Sequence, residues 1–246
     1  MPLEQSEAIV FRAFPVGEQD KIVSFFSRQK GLLKGVAKGS RKFGNRFGSS
    51  LEPFSYIQIY FYEKERKELV TISNCDLLES FIDIQRDLKV SLTLSYFSEL
   101  VEEFFPSMAK NEILFRLFLS TLQTLKKGGD PEISATYFEA WLLKIAGLLP
   151  DMKNCQKCHK PITTSGWLSS QKDGVFCDAC ASMKKEHIIP ETDLFLKWIK
   201  QHPQPLGKNF PFPPSQIKTI HKTLQTIIIY HIEKVPKSLS YMKNEL

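Results

Sequence analysis

Residues 34–54 read KGVAKGSRKFGNRFGSSLEPF. The stretch carries Lys34, Lys38, Arg41, Lys42 and Arg46, and meets no carboxylate until Glu52. Glycines interrupt it at 35, 39, 44 and 48, and Phe43 and Phe47 sit among the charges. Its flanks decide the fold. Upstream, AIVFRAF (8–14) and KIVSFFS (21–27) are β-branched and aromatic, bounded by Pro15, Gly17 and Gly31, and LLKGVAK supplies a third run of the same kind. Downstream, FSYIQIYFYE alternates apolar and polar, and ELVTISNCDLLESF follows it. These are strand signals. Five strands in about 80 residues, with glycine at the corners and no helical period, predict a small closed barrel of the oligonucleotide-binding (OB) type. An SH3-like barrel fits the same pattern.

The charge is unevenly spread. The chain has 246 residues and a net charge of +6. Between Asp20 and Glu52 stand eight Lys or Arg and no acid. Residues 81–150 lean acidic, nine against seven, and residues 181–246 are basic again, ten against five. A basic band on a folded surface suits phosphate backbones, whereas a solvated loop kept for solubility would have the same composition. A hydrophobic fraction of 42% with 24% charged is ordinary for a folded domain. No segment approaches the ~18–20 apolar residues of a membrane span, and the start, MPLEQSEAIVFRAF, lacks a basic region leading into an apolar run. The expectation is a cytoplasmic protein that does not enter the membrane.

After Asp83 the period changes to three and four, through Leu88, Leu92, Phe97 and Leu100 and then Leu114, Leu117, Phe118 and Leu122. KKGGDPE ends one helix at glycine and opens the next with Asp130 before Pro131, a cap and first turn. PETDLFLKWIKQHP reads as a short helix stopped by Pro203, and SQIKTIHKTLQTIIIYHIEK as a closing helix. His221 and His231 have no carboxylate at ligand spacing and read as structural. The expected class is α+β, in four parts: an OB-fold nucleic-acid-binding domain (1–80), a helical domain (81–150), a cysteine module (151–181), and C-terminal helices packing on the helical domain (182–246).

Cys155, Cys158, Cys177 and Cys180 form C-x2-C-x18-C-x2-C, the spacing of a zinc ribbon. Two residues between cysteines let one knuckle aim both sulfurs at a point, and two knuckles complete a tetrahedron. Asp173-Gly174 is a candidate turn for the hairpin between them. A rubredoxin-like iron site shares the geometry, and two disulfides would need an oxidising compartment. Four thiolates leave no open position for catalysis, so the expected role of the Zn ion is structural. Their net charge with the ion is −2, and Lys157 and Lys160 are near enough in sequence to offset it. Cys75 stands alone and reads as a buried small residue. There is no G-x4-G-K-[ST], G-x-S-x-G, H-E-x-x-H or dinucleotide fingerprint, which argues against an enzyme.

EAIVFRAFPVGEQDKIVSFFSRQKGLLKGVAKGSRK, RFGSSLEPF, the helices and GLLPDMKNCQKC…CDAC, in that order, resemble the bacterial recombination-mediator family RecO. The tail beyond Cys180 resembles it only in being helical, and His159 stands where a ribbon knuckle favours glycine. The resemblance implies an OB barrel, a helical domain and a zinc module. It further implies binding of single- and double-stranded DNA and strand annealing. It implies work with RecR, the C-terminal tail of single-stranded-DNA-binding protein and, less directly, RecF, to help RecA load on DNA in the nucleoid. On that reading Lys34, Lys38, Arg41, Lys42 and Arg46 meet phosphates, and the loop aromatics either stack on bases or plug the barrel end. The protein's partners would dock away from the loop. An RNA-binding module of translation or ribosome assembly is the alternative, and a nuclease a more distant one.

Overall fold

A computed structural model describes residues 2–63, 69–206 and 210–245, with the backbone alone for 243–245. Close approaches along the chain gather into two units, one up to Leu122 and one over Gln123–Asn244.

The first unit holds five strands: β1 (Leu3–Val16), β2 (Asp20–Ser27), β3 (Gly31–Ala37), β4 (Tyr56–Tyr62) and β5 (Leu69–Glu79). They close in the order β1-β2-β3-β5-β4. β1 pairs antiparallel with both β2 and β4, and β3 pairs parallel with β5. This resolves the choice between barrels in favour of the OB type. β4 shows why the strands form: Ile57, Ile59 and Phe61 point inward and are buried, and the residues between them are half-exposed. Val10, Val23, Phe25, Ile72 and Cys75 fill the same interior. Gly35 is required there, because a Cβ would lie 2.8 Å from side-chain carbons of both Ile72 and Val70.

β1 is longer than the sequence pattern suggests and does not alternate. Ala8, Ile9, Val10 and Phe11 are all buried. The outer face of the barrel is covered by helix α2 (Glu112–Lys126): Phe11 packs on Phe118 with ring centroids 5.0 Å apart, and Phe26 on Phe115 at 5.7 Å. A strand buried on both faces reads as a continuous apolar run. α1 (Leu88–Phe104) precedes α2, capped by Asp87, whose side chain accepts from the Val90 N–H. Its Glu102 pairs with Arg12 of β1 and accepts from the Ser24 hydroxyl at 3.2 Å.

In the second unit α3 (Pro131–Ile145) starts as expected. Asp130 Oδ1 accepts from the N–H groups of Glu132 and Ile133, both at 2.9 Å, and Pro131 occupies the first turn. α4 (Glu191–Gln201) and α5 (Pro214–Ile232) follow, and α3 packs against α5. α5 does not close the chain: α6 (Lys237–Glu245) comes after it. Its sequence, KSLSYMKNE, is polar and short, with too few apolar residues to show a helical stripe.

His221 on α5 meets Glu139 on α3, with Nε2 3.1 Å from Oε1 and the carboxylate fully buried. The sequence offers this histidine no carboxylate at ligand spacing, and the fold supplies one from another helix. The partner lies 82 residues away in sequence, beyond any local spacing rule.

Candidate nucleic-acid interface and metal centre

The segment between β3 and β4 is a chain of tight turns. Lys42 N–H donates to Gly39, Asn45 to Lys42, Ser50 to Phe47, Glu52 to Ser49 and Ser55 to Glu52. Further bonds fix it to the barrel. Gly39 N–H donates to Asp20 Oδ1 at 2.8 Å, Arg41 N–H to the Gln19 carbonyl at 2.9 Å, and Phe54 N–H to the Val10 carbonyl at 2.6 Å. The glycines that interrupt the stretch have a local reason. Gly39, Gly44 and Gly48 serve turns, all at positive φ.

All five expected cations, Lys34, Lys38, Arg41, Lys42 and Arg46, are exposed. None pairs with a carboxylate among the described residues. Glu52, the acid that ends the basic run, is taken by Lys21 at 3.8 Å. The arginines and lysines differ. Arg41 Nη1 donates to the Gly17 carbonyl at 3.0 Å, and Arg46 Nε to the Ser73 carbonyl at 2.6 Å. The Arg46 guanidinium also lies 4.6 Å from the Phe47 ring centroid. Each arginine thus ties the loop to the barrel while presenting its remaining N–H groups outward. Lys34 lies apart from the turns, on β3 opposite Ser24, where it lines a groove of about 260 Å³ with Arg12, Phe14 and Glu102.

The two loop aromatics separate. Phe47 keeps 4% of its surface exposed and belongs to the barrel interior with Leu51. Phe43 is fully exposed. Nothing in the local sequence distinguishes them: each follows a basic residue and precedes a glycine.

The four cysteines converge. Cys155 and Cys158 flank one turn, where His159 N–H donates to the Cys155 carbonyl and Cys155 N–H to the Lys160 carbonyl. Cys177 ends β7 (Val175–Cys177) and Cys180 closes the second turn, its N–H donating to the Cys177 carbonyl. β7 pairs with β6 (Gly166–Leu168), which pairs in turn with β8 (His187–Ile188). The hairpin does not turn on Asp173-Gly174 as a two-residue loop. It runs from Ser169 to Gly174, with Ser169 N–H donating to the Gly174 carbonyl and Lys172 at a φ of 59°. Asp173 accepts from the Ser169 hydroxyl instead, and Gly174 makes room for the Gln156 amide.

All four sulfurs lie within 4.8 Å of one another, and Cys158 Sγ is 3.7 Å from Cys177 Sγ. A disulfide needs about 2.05 Å, and all four are free thiols. Sulfurs held about 2.3 Å from a central ion stand about 3.8 Å apart at the corners of a tetrahedron. The cluster therefore fits a metal ion with little movement. Burial pushes the Cys155 thiol up, but backbone N–H groups of Cys158, Cys177 and Lys157 outweigh it and bring it to about 6. Cys180 is pushed up to about 12, first by its contact with Cys177. A cluster without an ion ionises one thiol readily and the last with difficulty, and a divalent cation removes that penalty. Cys75 by contrast is buried in the barrel, which raises it to about 12 and leaves it inert.

Residues 1–81 match the family described as Recombination protein O N terminal, and residues 85–240 match Recombination protein O C terminal. The chain is 31% identical over 232 residues to the DNA repair protein RecO of Koribacter versatilis, covering 94% of this chain and 95% of that protein. It is 30% identical to the RecO of Pelotomaculum thermopropionicum over 248 residues, covering 98% and 94%. Against the RecO of Thermodesulfovibrio yellowstonii it is 36% identical over 177 residues, covering 72% and 70%. Both halves of the family are present in order on one chain, over an OB-type barrel and a four-cysteine cluster, and the chain belongs to the RecO family of DNA repair proteins.

Proposed function

We propose that this protein is a non-enzymatic recombination mediator that binds DNA and anneals complementary strands, helping RecA load where single-stranded-DNA-binding protein coats the DNA. The observation that carries the reading is the loop of residues 38–55: exposed cations, unpaired with any described carboxylate, held on a closed OB barrel. Lys and Arg meet phosphates without reading sequence. Two strands whose phosphates are neutralised repel each other less, so they pair faster.

In this reading residues 1–80 form the nucleic-acid-binding domain, 81–150 the helical domain, 151–181 the metal module and 182–246 the C-terminal helices. Lys34, Lys38, Arg41, Lys42 and Arg46 carry the DNA contact. Cys155, Cys158, Cys177 and Cys180 hold a structural Zn ion, which links the two knuckles and contributes folding free energy. RecR and the tail of single-stranded-DNA-binding protein dock outside the basic loop, with RecF and RecA engaged less directly, in the cytoplasmic nucleoid. Among the described residues no helix is long and apolar enough to cross a membrane.

The test is annealing of complementary strands precoated with single-stranded-DNA-binding protein. Acceleration by the wild type, and its loss in a variant with the five cations replaced by Ala, support the proposal. No acceleration by the wild type refutes it. Matched DNA and RNA competitors separate it from an RNA-binding role in translation, and incubation with Mg²⁺ separates it from a nuclease.

A further inference from the structure

Phe43 is the one large apolar side chain of the loop that the fold leaves in water. Its position is built. Asn45 N–H donates to the Lys42 carbonyl at 3.2 Å, closing a four-residue turn with Phe43 and Gly44 at its centre. Gly44 has φ +67° and Phe43 does not have positive φ, the pattern of a type II turn with its glycine at the third place. The Asn45 side chain locks both sides: its amide donates to the Lys42 carbonyl at 3.1 Å, and its Oδ1 accepts from Phe47 N–H at 3.0 Å and Gly48 N–H at 3.2 Å. Arg41 and Arg46, on either side, are tied to barrel carbonyls. Phe47, four residues on, is packed into the barrel and anchors the far foot.

The fold makes no use of Phe43, and exposing a phenyl ring gives up the burial free energy that the other loop aromatic gains. Its neighbours select one kind of occupant. A ring flanked by exposed Arg41, Lys42 and Arg46 repels a cationic surface, and an apolar partner would have to desolvate three charges. A nucleic-acid strand satisfies both: phosphates for the cations and a flat face for the ring. Only an unpaired base offers that face, since the bases of a duplex are already stacked.

We propose that Phe43 stacks on an unpaired base and gives the loop a preference for single strands over duplex. The cations alone bind both forms. This rests on the loop being the DNA-binding surface.

The test uses the full chain with Phe43→Leu, which keeps an apolar side chain and removes the aromatic face, and Phe43→Trp, which restores one. Binding of a fluorescent single-stranded oligonucleotide should weaken about 5- to 150-fold in Phe43→Leu, the range of one base–aromatic stack. Duplex affinity and the salt slope should stay as in the wild type, because no phosphate contact is lost. An oligomer of abasic sugar-phosphates should bind Phe43→Leu and wild type equally. Phe43→Trp should recover single-strand affinity, and its added emission should be quenched by single strands and not by duplex. Equal loss on single strand and duplex, or no loss on either, overturns the proposal. If the five-Ala variant still loses affinity in that case, only the role of Phe43 falls. If neither variant changes binding, the loop is not the DNA surface.

Discussion

Lys34, Lys38 and Lys42 can be replaced by Ala without touching a bond that holds the loop, whereas Arg41 and Arg46 each donate to a barrel carbonyl. The triple-lysine variant therefore isolates electrostatics. Each phosphate neutralised on a single strand contributes about −0.7 to the slope of log K against log salt. If all three lysines contact phosphates, their removal flattens the slope by about two units. Between 50 and 200 mM salt, a fourfold change, two units amount to about a 16-fold difference, so the variant should be about 16 times closer to wild type at the higher salt. The melting temperature should hardly move, because exposed unpaired lysines contribute little stability. The loss should be similar for oligonucleotides of unrelated sequence, since phosphates carry no base information. The assay is a salt titration of fluorescent oligonucleotide binding. An unchanged slope would mean that the lysines are only solvated, and would direct attention to the exposed Lys218 and Lys222 of the basic C-terminal region.

Purified protein should carry one tightly held zinc per chain, and Cys177→Ser with Cys180→Ser should lose it and lower the melting temperature; metal analysis finding less than about half an equivalent in wild type kept from chelators would contradict this. His159 holds a φ of 60° in the first knuckle, so His159→Gly should stabilise the protein by about 0.5–1 kcal/mol with zinc content unchanged; destabilisation in thermal melts would show that the imidazole packs or ligates. Arg28 bonds Glu112 at 2.5 Å and Glu7 at 2.7 Å. Glu112 is lowered from 4.5 chiefly by that guanidinium. Burial pushes Glu7 up, but bonds from Tyr56 and Arg28 bring it below 4.5 as well. Depressed carboxyls contribute stability above their unfolded value and lose it as pH falls through the folded one. The urea midpoint should thus drop between about pH 6 and pH 3.5 by more in wild type than in Arg28→Met, and equal drops would rule out the triad as the cause.

Local chemistry determined a good deal from the sequence alone. Two C-x2-C pairs at ribbon spacing can aim four sulfurs at one point, so the four-cysteine cluster was legible before any fold was known. Asp before Pro sets a helix start within one turn, and Asp130 caps α3 as its sequence position implies. Period-two alternation in β4 and period-three-and-four stripes after Asp83 set the order of barrel and helices. Tertiary structure decided what depends on partners distant in the chain. Phe43 and Phe47 have the same neighbours in sequence, and only barrel closure buries one and leaves the other in water. The unbroken run Ala8–Phe11 has its reason in α2, a hundred residues on, packed over the barrel's outer face. Glu139 faces His221 because α3 packs on α5. Short-range preferences are encoded by adjacent residues, but burial is a property of the whole packed unit, and it was burial that assigned these side chains their roles.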